Sequence, residues 1–200
     1  MGDWIRELIE QSGYLGVALL MLLETVFPPI PSEVIMSLSG LQAQRGTMTL
    51  WGAILAGTAG AMVGNIFWYA AARALGLERF HPFIDRHGRL LTLDWKELKR
   101  ADHLFDRYDR WFVFLGRMVP TIRSLVSIPA GLFGMPWRPF LLWSTLGTLG
   151  WTTGLATAGF LLGRNYADVD RYLGPVSTGV IAALILYYVY RVLTWKPSPR

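Results

Sequence analysis

Glu24-Thr25-Val26-Phe27-Pro28-Pro29-Ile30-Pro31-Ser32-Glu33 is the stretch on which the fold turns. It lies between two apolar segments, 14–27 and 34–41, each too short to cross a bilayer comfortably. Pro28, Pro29 and Pro31 cannot continue a helix, because each lacks an N–H and its ring collides with the preceding turn. An apolar, broken, apolar pattern with acids inside reads as a re-entrant hairpin over residues 14–41. Irregular backbone at membrane depth is tolerated only where protein or water covers it.

Reading onward, Leu50 to Leu75 holds a single charged residue, Arg73, and Phe140 to Gly163 holds none. A spanning helix needs about 20 mostly apolar residues. Spans are therefore expected over 50–76 and 137–163, with a third over 173–195. Hydrophobic residues make up 52% of the 200 and charged residues 16%, against about 25% charged in a soluble domain. A chain of this size cannot bury so many apolar helices on all faces in water. Residues 1–12 read as a short amphipathic helix, with Trp4, Ile5, Leu8 and Ile9 on one side. Its acids Asp3, Glu7 and Glu10 are unlike the basic start of a secretory signal.

The polar segment 77–110 carries all three histidines. In its second half Trp95, Leu98, Ala101, Phe105, Tyr108 and Phe112 recur at helical spacing among charges, as in an amphipathic arm on a membrane surface. A second broken hairpin follows over 111–135, where Arg117, Pro120, Arg123 and Pro129 interrupt apolar runs and Ala130 to Met135, through Gly131, closes it. The fold expected is all-α and membrane-integral: two re-entrant broken-helix hairpins in an inverted repeat, about three full transmembrane helices and a cytoplasmic amphipathic arm, in one domain over 1–200. Broken segments at matching places in two halves point to a transporter site.

Lys and Arg orient the chain. The arm, Arg138 and the tail hold twelve, and the N-terminus, Arg45 and the 164–174 loop hold four. The positive-inside rule then places the arm and C-terminus in the cytoplasm and the N-terminus outside. The net charge of +5 suits anionic lipid, and no basic stripe with interleaved aromatics suggests nucleic acid. The stripe Ala53, Gly57, Gly60 and Gly64 permits close helix contact, within the chain or in a homodimer.

Charge inside a bilayer costs roughly 2.5–3.5 kcal/mol per residue even on lenient scales. Four charges lie in the hairpins: Glu24 and Glu33 in the first, Arg117 and Arg123 in the second. The proline breaks free each pair from helical geometry and allow convergence. Guanidinium groups suit bidentate phosphate binding, and a carboxylate in low dielectric can exchange protons near neutral pH. One reading is therefore an anionic headgroup site, with Arg117 and Arg123 on the phosphate and Glu24 and Glu33 coupling protons. The other is two structural Glu–Arg pairs that hold the hairpins together. No metal site or cofactor is expected, since the chain has no cysteine and no histidine in an apolar segment. Ser124 and Ser127 have no nearby base, so an enzyme is not expected. A proton-coupled ion or drug antiporter is the alternative, disfavoured by the arginines.

The quoted segment from Glu24 to Glu33 resembles the first signature of the DedA family, also called the VTT or SNARE-associated Golgi protein family. Phe114-Leu115-Gly116-Arg117-Met118-Val119-Pro120-Thr121-Ile122-Arg123, followed by Pro129-Ala130-Gly131 and Met135, resembles the second. Between them Gly60, Gly64, Asn65, Tyr69, Arg73 and Gly76 are similar to the family's G-x-x-x-G-D…Y…G-R-x-x-G stretch. Asn65 stands where the family usually has Asp, and Ala72 where it usually has Gly. The resemblance implies lipid translocation in the cell inner membrane: undecaprenyl phosphate recycling, phospholipid flipping and proton-motive-force-dependent envelope maintenance in bacteria, and lipid scrambling in eukaryotic relatives.

Overall fold

A computed structural model describes residues 2–27, 31–91, 95–120 and 122–162. Among these every regular element is a helix: α1 (Gly2–Val26), α2 (Ser32–Gln44), α3 (Leu50–Leu91), α4 (Trp95–Arg117), α5 (Ser127–Leu132) and α6 (Trp137–Leu162). The expected span over 173–195 and prolines 28 and 29 lie outside the described residues.

Local sequence sets the breaks. α1 bends at Gly13 (φ 55°), which divides the amphipathic start from the apolar run that reaches Glu24. α3 bends at Gly76 (φ 68°), where the span was expected to end. Leu50–Gly76, with mean hydropathy 1.4, is the one described helix that combines the length and apolarity of a membrane crossing. α6 matches it in length at 26 residues, but threonines and glycines dilute its apolar run.

Two expectations need adjustment. α2 extends to Gln44, three residues past the boundary at 41, before Arg45 caps it. The stripe from Trp95 to Phe112 is not one continuous face, because the backbone leaves helical geometry at Tyr108 (φ −129°, ψ 16°). Tyr108 is exposed, whereas Phe105 turns inward against Phe112 and Phe133, with ring centroids 5.3 Å apart in each pair.

The order helix, break, helix, long helix occurs twice, and the contacts exchange between halves. α1 packs on α3 and α4 on α6, while α2 crosses to α6 and α5 crosses to α3. Both short helices end alike. Gly46 (φ 81°) follows α2, with Thr47 N–H donating to Gln42 O and Gly46 N–H to Ala43 O. Gly134 (φ 72°) follows α5, with Met135 N–H donating to Ala130 O and Gly134 N–H to Gly131 O. Both are Schellman closures, which need a residue in the left-handed region and so favour glycine.

Glycines let the helices touch backbone to backbone. A methyl at Gly60 would overlap the Ala18 carbonyl oxygen, one at Gly40 that of Ala156, and one at Gly159 that of Ser37. Gly57 and Gly64 face Met36 and Thr25, so the small-residue stripe is spent within the chain. One apolar core gathers Val17, Leu20, Met21, Ile35, Met36 and Ile54; a second gathers Tyr69, Val113, Val126, Ala130 and Phe140. Leu15, Leu19 and Leu23 run along the outside of α1, exposed at i, i+4 and i+8. An outward apolar ridge of this kind is a liability in water and ordinary against lipid.

Close contact at Gly60 yields a direct test. Gly60→Ala is expected to cost about 1–3 kcal/mol through overpacking, read as a lower unfolding midpoint in detergent. Gly154→Ala, where nothing lies within 4 Å, should leave the midpoint unchanged or raise it, because Ala is the better helix former.

Candidate functional site

Along α3, Asn65 lies between residues of the first core and residues of the second. Ser144 holds the same place on α6. Between the two cores the chain buries Glu24, Asn65, Arg117, Arg123, Ser127 and Ser144.

Arg117 ends α4 and is 2% exposed. Its Nε donates to Ser144 Oγ at 2.9 Å. Its Nη1 donates to Asn65 Oδ1 at 2.7 Å and to the carbonyl oxygen of Arg123. Its Nη2 donates to Ser127 Oγ at 2.6 Å. Phe140 lies 6.0 Å beneath the guanidinium, within cation–π range. Gly147 makes room for the side chain, since a Cβ there would come within 2.7 Å of Arg117 Cβ. Each acceptor is neutral.

Arg123 lies in the turns between Arg117 and α5 and is 5% exposed. Its Nη2 forms an ion pair with Glu24 Oε1, which joins the second broken segment to the first. Trp151 of α6 lies 5.9 Å from its guanidinium. Ser124 Oγ donates to the same Glu24 oxygen at 3.3 Å, and Thr25 Oγ1 donates to Oε2 at 3.3 Å.

The four charges are not equivalent. Glu24, Arg117 and Arg123 come together. Glu33 is half-buried near the start of α2, bonded to Ser32 at 3.4 Å, where a carboxylate complements the helix dipole. One Glu–Arg pair is therefore present among the described residues where two were envisaged. The three buried charges sum to one net positive charge.

The hairpin-shaping and motif positions have separate structural places. Pro31 caps α2 and Pro129 lies in the first turn of α5, where a missing N–H costs little. Pro120 is exposed in the turn after α4. Gly131 brings α5 onto the backbone of Tyr69. Tyr69 donates to the carbonyl oxygen of Met135; Arg73 Nη1 donates to that oxygen at 2.5 Å and to Tyr69 Oη at 2.7 Å. Tyr69 and Arg73 thus clamp the end of the second hairpin, while Gly60 and Gly64 bring α1 close.

Ser144, Ser127 as a hydrogen-bond partner and Trp151 were not singled out in the sequence. A signal existed for the first: Ser144, Thr148 and Thr152 recur every fourth residue on an otherwise apolar helix, and all three are buried. Thr152 Oγ1 lies 2.8 Å from Thr58 Oγ1 of α3, so the stripe joins the two long helices.

The VTT domain family model matches residues 30–161. Undecaprenyl phosphate transporter A of Staphylococcus aureus is 35% identical over 96% of this chain and 92% of its own. Undecaprenyl phosphate transporter A of Bacillus subtilis is 30% identical over 97% of this chain and 98% of its own. A protein of Lactococcus lactis named alkaline phosphatase-like is 35% identical over 96% of this chain and 91% of its own. No solved structure matches.

Asn65 provides a test of the network. Asn65→Ala removes an acceptor from a buried cation and should cost about 1.5–3 kcal/mol, measured by unfolding in detergent. Asn65→Asp, which restores an acceptor, should recover the midpoint. A wild-type midpoint in Asn65→Ala would show that Arg117 does not depend on this bond.

Proposed function

The chain belongs to the VTT domain (DedA) family, and on that premise we propose that it is a membrane transport protein, not an enzyme, carrying a phosphate-bearing lipid such as undecaprenyl phosphate or a phospholipid across the bilayer with proton coupling. The observation that carries this reading is the buried cluster of two guanidinium groups and one carboxylate at the junction of the two broken segments. A buried excess of positive charge is costly until an anion compensates it. Guanidinium is the side chain best matched to phosphate oxygens. The names of the Staphylococcus and Bacillus relatives point to the same ligand class. The excess positive charge disfavours the alternative of a cation antiporter.

In this proposal the two guanidinium groups make the junction cationic, and the two broken segments are re-entrant hairpins meeting near the midplane. The exchange of contacts between the halves supports an inverted repeat. Glu24 is the acid that couples protons, because a headgroup phosphate on Arg123 would leave it without its counter-ion, and a buried carboxylate without a partner is tolerated only when protonated. Glu33, at the start of α2, is the second acid of the pair. The protein lies in the inner membrane with the arm inside and Arg45 outside.

Lipid translocation by reconstituted, equally folded variants across a pH range tests the coupling. Glu24→Gln should lose the pH dependence of transport, with Glu33→Gln altering it less. Wild-type rates and an unchanged pH profile in both would mean that the acids are scaffolding. Orientation is tested separately on this cysteine-free chain. A cysteine at position 45 should react with an impermeant reagent from outside, and one at position 96 only after the membrane is opened. The reverse pattern would contradict the topology.

A further inference from the structure

We propose that the two arginines divide the work: Arg123 takes the headgroup phosphate, and Arg117 is a positioning residue that builds the loop presenting it. This rests on the transport reading above and refines it. The two side chains are nearly equally buried, at 2% and 5% exposure, yet their hydrogen bonding is opposite. A guanidinium has five N–H donors. Arg117 commits four of them, to Ser144 on α6, Asn65 on α3, Ser127 on α5 and the backbone of Arg123 itself. Moving Arg117 onto a phosphate would leave those buried acceptors without their donor. Arg123 has the ion pair with Glu24 and the face of Trp151. Its Nη2 is buried and makes no hydrogen bond beyond that ion pair.

A buried cation with an open donor is the incomplete half of a binding site, and oxygens of a phosphate monoester or diester complete it with charge-assisted bonds. The bond from Arg117 Nη1 to the Arg123 carbonyl fixes the backbone from which the binding side chain projects. Trp151 backs the guanidinium and its indole N–H donates to Ser32 Oγ at 3.4 Å. The binding arginine is thus held from α6 as well as from its own loop.

The full chain in detergent tests the division, with undecaprenyl phosphate and inorganic phosphate as separate probes for wild type, Arg123→Lys, Arg117→Lys and Ser144→Ala. Arg123→Lys keeps the charge and loses the fork. It should weaken binding of the lipid phosphate by about tenfold or more, which is roughly 1.4 kcal/mol per decade, with little change in the ligand-free unfolding midpoint. Arg117→Lys and Ser144→Ala should lower that midpoint while the folded protein still binds within about threefold of wild type, the range of ordinary context effects on one contact. Ser144→Ala decides the matter if Arg117→Lys does not fold. An affinity loss in folded Ser144→Ala or Arg117→Lys as large as that in Arg123→Lys overturns the division, and so does wild-type affinity in Arg123→Lys. Tight binding of inorganic phosphate without the lipid overturns the headgroup assignment. A wild type that binds neither probe refutes the transport reading itself.

Discussion

Burying Arg117 is the constraint around which the rest of the structure is arranged. A guanidinium cannot shed its proton to escape an apolar interior, so acceptors must come to it. They come from α3, α5, α6 and the turn at Arg123. Four parts of the chain, two of them 27 and 52 residues away from Arg117, are therefore fixed relative to the end of α4. Gly147 keeps the approach from α6 open. Without the serines and Asn65 the charge would be stranded. Without the charge there would be no reason for polar groups at those positions on helices that are otherwise apolar.

The crossed architecture follows from two such demands. Each half has a broken segment that cannot satisfy its own backbone ends or cover its own charge, so each leans on the long helix of the other half, α2 on α6 and α5 on α3. Glycines at the crossings allow near contact of backbones, which is how helices associate when the surroundings are as apolar as their side chains. The ion pair between Glu24 and Arg123 lies where the halves meet. A bond that joins two similar halves at their breaks is placed to respond when one half moves against the other. That is the arrangement the proposed carrier needs.

Much of this was legible in the sequence, and the remainder failed for identifiable reasons. The run from Leu50 to Leu75, with Arg73 as its one charge, marked the span that ends at the bend of α3 at Gly76. Pro28, Pro29 and Pro31 marked a break, and Val26 and Ser32 are the last and first helical residues on its two sides. The meeting of Glu24 with the arginines was foreseeable, because isolated charges in apolar segments must find each other. Which acid pairs with which arginine was not, since Pro31 and the turns of 118–126 release both pairs from helical spacing. Glu33 instead lies at a helix start, a local preference that competes with ion pairing. Ser144 was hidden because a lone hydroxyl in a long apolar helix is common. Its partner is 27 residues away, a separation that no periodicity connects.

The central claim is that a buried, cationic junction between two broken hairpins moves a lipid by its phosphate. Its most direct test is transbilayer movement of labelled undecaprenyl phosphate and of labelled phosphatidylethanolamine in liposomes containing the purified protein, with and without a pH gradient. The account predicts protein-dependent movement of at least one of these lipids at a rate that responds to the gradient. Movement of both lipids no faster than in protein-free liposomes, with or without the gradient, would contradict it.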